Sequence, residues 1–146
     1  MLQLLPLGRV LSLTGKGLLH LLNRKLSDLD IDREYFAVIL IELGEGNLTQ
    51  KELASQLETD KVSVVRIVDY LTEKGYVKRI KNSVDRRKYS LTLTEKAKEK
   101  LPEIKKSMME VIELVFSGIT ESQQTEFISV LGVIKENIKQ ANNISL

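Results

Sequence analysis

The sequence predicts a mainly α-helical protein with one small β-hairpin, in the order α-α-α-α-β-β-α-α. Apolar residues recur at helical spacing on both sides of residues 77–93, and within that range the period changes to two. Two capping boxes, Thr49 with Glu52 and Thr120 with Gln123, mark the starts of two helices. The 146 residues suit one ordinary domain that buries its own core.

The first two helices are predicted from apolar spacing. Residues 8–27 carry one helical stripe: Val10, Leu11, Leu18, Leu21, Leu22 and Leu26. We expect Asp32 to cap a second helix that continues to about Leu43 and ends at Gly44 and Gly46. Its inner face is predicted to contain Phe36, Ile39, Leu40 and Leu43.

The next two helices are short and are joined by a tight turn at residues 58–59. Thr49 caps the first, which turns inward Leu53, Ala54 and Leu57. Thr59 or Asp60 caps the second, in residues 60–74, which buries Val64, Ile67, Val68 and Leu71. Gly75 follows at the position where a left-handed residue ends many helices.

A hairpin and two longer helices complete the chain. Residues 89–93 alternate as a half-buried strand with Tyr89, Leu91 and Leu93 on one face, and residues 76–81 are its partner. Thr94 caps a long helix that Pro102 is expected to kink or break locally. The last helix follows Thr120 and turns inward Phe127, Val130, Leu131, Ile134 and Ile138.

Positive charge is concentrated in one segment of this nearly neutral chain. The net charge is +2, yet residues 61–94 carry nine basic and three acidic side chains, a net +6. Residues 1–60 carry −3 and residues 95–146 carry −1. A basic block of this kind attracts polyanions by releasing their counterions, so it favours nucleic acid as a partner.

Two short helices joined by a tight turn and followed by a basic hairpin make a winged helix-turn-helix. The major groove of DNA is about 12 Å wide and admits one helix. We expect helix 60–74 to enter it, presenting Lys61, Val62, Ser63 and Arg66, while Val62 or Val65 contacts a thymine methyl. The hairpin, residues 77–93, is the wing. Its tip, Asp85 to Lys88, is predicted to place the cations Arg86, Arg87 and Lys88 near the narrow minor groove, with Asp85 paired to a wing arginine.

The composition argues against several other classes of protein. There is no cysteine and only one histidine, His20, so we expect no disulfide, metal site or cofactor, and no catalytic residues; the chain is predicted not to be an enzyme. No apolar run is long enough for a membrane span. Residues 1–6 make a poor signal peptide, and we expect a cytoplasmic location.

Residues 48–94 resemble the MarR (multiple antibiotic resistance regulator) family. The matching pieces are Leu48-Thr49-Gln50 with Glu52-Leu53-Ala54, the helix start Asp60-Lys61-x-Ser63-Val64-x-Arg66, the run Leu71-x-x-Lys74-Gly75-x-Val77-x-Arg79, and the wing motif Asp85-Arg86-Arg87 before Leu93-Thr94. Each piece alone is weak, but their order and spacing together are specific. Ala97 departs from the glycine that is usual there, which only favours continuation of the helix.

The resemblance implies a homodimer that binds an inverted-repeat DNA operator, with repression as its usual outcome. By position, Gln50, Lys61, Ser63 and Arg66 match helix-turn-helix contacts, while Asp85 and Arg87 match a wing pair whose arginine enters the minor groove. Residues 30–94 would bind DNA, and residues 1–29 and 95–146 would form the dimerisation helices of one domain spanning 1–146.

A small lipophilic or phenolic effector is a common partner in the family. Two alternatives stay open: a regulator controlled by its abundance or by a protein partner, and an interaction module that does not bind DNA.

Overall fold

The computed structural model describes residues 6–143. Residues 1–5 and 144–146 are outside it, so the prediction that the N-terminal segment is not a signal peptide falls almost entirely outside the described residues. Within residues 6–143 the elements are α1 (Leu7–Lys25), α2 (Tyr35–Leu43), α3 (Gln50–Gln56), α4 (Lys61–Glu73), β1 (Val77–Lys81), β2 (Tyr89–Leu93), α5 (Glu95–Val115) and α6 (Glu121–Asn143). The predicted order of helices and strands is confirmed. No helix in residues 6–143 is both long and apolar enough to span a bilayer.

The described chain divides into two compact units at Val111–Ile112. In the first unit, α2, α3, α4, the hairpin and the start of α5 surround one apolar cluster. Leu53, Val68 and Leu71 are fully buried there. Because burying one such side chain stabilises a fold by about 1.5–3 kcal/mol, this cluster holds the helix-turn-helix in place.

Local signals set the ends of α3 and α4 as predicted. Thr49 and Glu52 form the capping box reciprocally at the start of α3. Asp60 caps α4 by accepting hydrogen bonds from the backbone N–H groups of Val62 and Ser63. Gly75 ends the helix at φ +75°, a conformation that side chains with a Cβ disfavour.

Helix α2 differs from its prediction. Glu34, in a left-handed conformation, occupies the cap position, and Asp32 instead accepts a hydrogen bond from the Tyr70 hydroxyl at 2.8 Å. Phe36 and Leu43 are exposed, while the buried residues are Tyr35, Ala37, Val38 and Ile41. The helix is apolar on nearly every side, so its sequence contains no polar face from which to infer its orientation.

The hairpin is antiparallel, with Val77 opposite Leu93 and Lys81 opposite Tyr89. Tyr89 was predicted to be half-buried, but it is 55% exposed, and Ser90 is fully buried instead. The reason is a contact from outside the hairpin: the backbone N–H of Leu91 donates to the Leu48 carbonyl at 2.8 Å. The segment before α3 therefore covers one edge of β2.

Helix α5 begins as predicted, with the Thr94 hydroxyl accepting from the backbone N–H of Ala97. It continues through Pro102, so the predicted local break does not occur, and the alternative of a kink stays a prediction. Pro102 and Lys98, whose carbonyl loses its N–H partner, are both exposed, so water can satisfy that carbonyl.

Helices α1 and α6 share one property, although they belong to different units. No described residue of either helix is buried. The apolar residues that remain exposed on α1 are Leu7, Val10, Leu11, Leu13 and Leu19, and those on α6 are Phe127, Ile128, Val130, Val133 and Ile138. Of the predicted inward face of α6, Leu131 and Ile134 are half-buried, whereas Phe127, Val130 and Ile138 are exposed.

Candidate nucleic-acid interface

Helix α4 presents a polar face opposite its buried stripe. Val64, Val68 and Leu71 are buried, and three predicted DNA contacts, Lys61, Val62 and Arg66, are exposed. Val62 is 61% exposed, whereas Val65 is half-buried, so Val62 is the valine free to contact a base. We refer to α4 below as the recognition helix.

Ser63 is already engaged in the cap of the recognition helix. Its hydroxyl donates to Asp60 Oδ2 at 2.6 Å, while Oδ1 accepts the backbone N–H of Ser63. The hydroxyl bond and these N–H bonds hold the pKa of the Asp60 carboxyl below its ordinary value. Because its hydrogen is used within the chain, Ser63 can offer DNA only its oxygen lone pairs, which suit a base amino group better than a phosphate.

Gln50 lies at the start of α3 and is held by Arg79, which belongs to the matching family motif but was not among the predicted contact residues. Arg79 Nη2 is 3.3 Å from Gln50 Oε1 and 2.9 Å from Asp69 Oδ1. This arginine on β1 therefore links α3, the recognition helix and the wing. Arg79 lies two residues after Val77, on the same face of β1, and opposite Leu91. That spacing was the available sign that Arg79 faces the helices.

The wing tip, residues 82–88, is organised around Asn82, which is buried and was not singled out from the sequence. Asn82 Oδ1 accepts the backbone N–H groups of Val84 and Asp85, each at 2.9 Å. Its amide donates to Ser90 Oγ and to the carbonyl of Asn47. Four hydrogen bonds of this one side chain thus order the tip and join it to Asn47 and Ser90.

Asp85 orders the tip, but not through the arginine side chain that was predicted. Its Oδ1 accepts the backbone N–H of Arg87 at 3.0 Å, and its Oδ2 lies 3.9 Å from Lys88 Nζ. The predicted partner is wrong because the tight turn from Asp85 to Lys88 directs the carboxylate at a backbone N–H. Arg86 and Arg87 are both exposed.

Two further cations of the wing have specific surroundings. Hydrogen bonds from Thr49 are the main reason that the pKa of the Glu52 carboxyl lies below its ordinary value, and the positive charge of Lys88 makes a smaller contribution in the same direction. Lys81 Nζ lies 4.5 Å above the ring of Tyr89, its cross-strand partner. Lys81 and Tyr89 therefore form an exposed cation–aromatic pair near the wing tip.

These features define a winged helix-turn-helix whose exposed helix and wing are rich in hydrogen-bond donors. The predicted site residues occupy three places: Gln50 on α3, Lys61 to Arg66 on the recognition helix, and Asp85 to Lys88 on the wing tip. Arg79 joins the first place to the recognition helix through Asp69. Lysine and arginine donate to phosphates and to guanine acceptors, which is the chemistry of duplex DNA recognition.

Comparison with known proteins agrees with this fold. The model of the MarR family matches residues 29–88. The multiple antibiotic resistance protein MarR of Salmonella typhimurium is 34% identical over 92 residues, which are 63% of this chain and 64% of that protein. The chain thus spans a little under two thirds of this curated relative.

Two solved structures resemble most of the chain. The transcriptional regulator PA3341 is 30% identical, with a TM-score of 0.75 over 92% of this chain and 98% of its own. A mutant of MarR from E. coli in complex with operator DNA is 24% identical, with a TM-score of 0.78 over 90% of this chain and 95% of its own.

The chain belongs to the MarR family. The recognition helix and the wing are thus those of a family of transcriptional regulators, which confirms the prediction that the chain is not an enzyme.

Proposed function

We propose that this protein is a transcriptional regulator that binds a specific sequence of double-stranded DNA as a homodimer. The observation that carries the proposal is the placement of the basic block: Lys61 and Arg66 on the exposed face of the recognition helix, and Arg86 and Arg87 on an anchored wing tip. The helix fits the major groove, and the wing arginines fit the narrow minor groove beside it.

Each proposed contact has a distinct role. Lys61 and Arg66 donate to phosphates or guanine, Val62 contacts a thymine methyl, and Ser63 accepts from a base. Gln50, positioned by Arg79, contacts the backbone or a base edge at the start of α3. Arg86, Arg87 and Lys88 bind the minor groove and its phosphates, while Asp85 orders their turn.

The homodimer is supported by the uncovered apolar sides of α1 and α6. Large exposed apolar patches on a folded chain mark interaction sites, and a second copy of the same chain supplies matching helices. Residues 1–29 and 95–146 would then dimerise, and residues 30–94 would bind DNA. A two-fold dimer places two recognition helices on an inverted repeat, in successive major grooves about 34–36 Å apart.

Charge-matched variants test the DNA proposal. Arg87→Ala should weaken binding and lower the slope of log affinity against log salt by about 1, because one phosphate-neutralising cation is lost. Arg24→Ala removes the same charge from an exposed position of α1 and serves as the control. Fluorescence anisotropy on duplex DNA measures both. Equal effects of the two variants would remove the wing from the mechanism.

The cellular role follows the family pattern in this proposal: repression of genes next to the operator by a protein of the cytoplasm, with release by a small lipophilic or phenolic effector. The exposed apolar residues of α2, Phe36 and Leu43, provide surface of the required character. Screening such compounds for release of the operator duplex tests this part. Release by none would favour control by abundance or by a protein partner.

A further inference from the structure

The most exposed large apolar residue in the described chain lies at the wing tip. Val84 is 89% exposed, beside Asp85 and two residues before Arg86. Such exposure contributes nothing to the fold, since a valine stabilises a protein only by leaving water. The surrounding turn is otherwise polar, so no local apolar contact explains the residue.

Val84 is also held in a fixed position. Its backbone N–H donates to Asn82 Oδ1 at 2.9 Å, and Asn82 itself is buried against Ser90 and the Asn47 carbonyl. Ser83 Oγ donates to the side chain of Asn47 at 2.5 Å. The valine is therefore presented by an ordered turn, so little conformational entropy opposes its burial in a partner.

We infer that Val84 inserts into the minor groove beside the wing arginines and reads A·T against G·C pairs there. The inference rests on the proposed function, because it requires the wing to reach DNA. The neighbouring cations Arg86, Arg87 and Lys88 commit the occupant to a polyanion, and the minor groove offers apolar sugar edges between its two phosphate rows.

The chemical basis of this discrimination is the amino group of guanine. In the minor groove, A·T and T·A pairs present only acceptors, whereas G·C adds the guanine N2 amino donor. The two methyl groups of Val84 would press on that donor, exclude water from it and offer it no acceptor. Adenine carries no such group, so A·T avoids this cost, and the acceptors that the valine covers there have counterparts in G·C as well.

Duplexes that carry A·T, G·C or inosine·C at the wing positions test this inference with the full chain. Inosine·C keeps the major-groove edge of G·C but lacks the amino group. Wild-type protein should bind the G·C duplex at least about fivefold more weakly than the A·T duplex, the lower end for one wrong base pair, and bind inosine·C like A·T.

Two variants of the exposed valine complete the test. Val84→Ala should bring the three affinities within about twofold, because the methyl groups that meet the amino group are gone. Val84→Thr keeps the shape but adds a hydroxyl oxygen that accepts from guanine, so it should recover binding to G·C.

The inference would be overturned if Val84→Ala kept the wild-type preference, since an arginine sensing groove width would then suffice. Equal binding of G·C and inosine·C by the wild type would overturn it as well. In both cases Arg87→Ala would still weaken binding to all three duplexes. Failure of the wild-type protein to bind any duplex would instead reject the proposed function.

Discussion

The helix-turn-helix and the terminal helices α1 and α6 differ in whether their own chain buries their apolar residues. The recognition helix packs Val64, Val68 and Leu71 into a core made by its own chain, so its orientation is set within one protomer. Helices α1 and α6 bury none of their described residues. One chain is therefore sufficient to fix the exposed face of the recognition helix, whereas one chain leaves large apolar residues of α1 and α6 exposed.

A core substitution in the recognition helix should have the largest effect on stability. Leu71→Ala removes a side chain with no exposed surface and leaves a cavity, so we expect the free energy of unfolding to fall by about 2–5 kcal/mol. Chemical denaturation at a fixed protein concentration measures it. Thr72→Ala, at the next and exposed position, is the control. A loss under 1 kcal/mol for Leu71→Ala would show that this core is not as tightly packed as the structure indicates.

A charge on the uncovered side of α6 should separate dimerisation from folding. Val130→Asp places a carboxylate where the proposed partner would bury it, so the dissociation constant of the dimer should rise at least about tenfold. Ser129→Asp adds the same charge at the neighbouring exposed position and should change it less. Analytical ultracentrifugation measures both. An unchanged dimer in Val130→Asp would place the interface elsewhere.

The glycine that ends the recognition helix should matter less. Gly75→Ala forces a Cβ into φ +75°, which costs about 1–2 kcal/mol. The nearest atom to an added Cβ is the flexible Lys96 side chain at 3.8 Å, so the cost comes from the backbone itself. Gly75→Asn should recover part of the loss, because asparagine tolerates this conformation. Thermal unfolding distinguishes backbone strain, which predicts that order, from crowding, which predicts that asparagine is worse.

The smallest expected effect is on how the stability of the protein depends on pH. The hydrogen bonds from Ser63 and Val62 lower the pKa of Asp60 from its ordinary value of 3.8, so the ionised carboxylate stabilises the folded state. That contribution is fully present above pH 3.8 and is lost as pH falls through the lowered folded value. Asp60→Asn should flatten the acid limb of a plot of stability against pH. An identical acid limb would contradict the role of this cap.

Local sequence signals predicted those elements whose causes are local. Thr49, Asp60 and Gly75 set helix ends through bonds or conformations within four residues, and the structure places them as expected. The wing alternation failed at Tyr89 and Ser90 because the segment before α3, more than forty residues away, covers the edge of β2. No local pattern contains that contact.

The candidate site likewise combines features that follow from local spacing with features that depend on contacts between distant elements. Exposure of Lys61, Val62 and Arg66 followed from helical spacing once the buried stripe was known. The roles of Arg79 and Asn82 depend on partners on other elements, Gln50 with Asp69 and Asn47 with Ser90, so spacing along the chain did not single them out. Asp85 orders the tip as predicted, but the predicted partner, an arginine side chain, is wrong, because its carboxylate accepts the backbone N–H of Arg87 instead.

Selection of bound duplexes from a random DNA pool tests most directly whether two chains present their recognition helices together. We expect enrichment of an inverted repeat whose half-sites are centred about 10 base pairs apart, one helical turn, and a sharper motif for wild type than for Arg66→Ala. Enrichment of a single half-site would contradict the dimer. Recovery of no common sequence would contradict specific DNA recognition and favour the alternative of an interaction module.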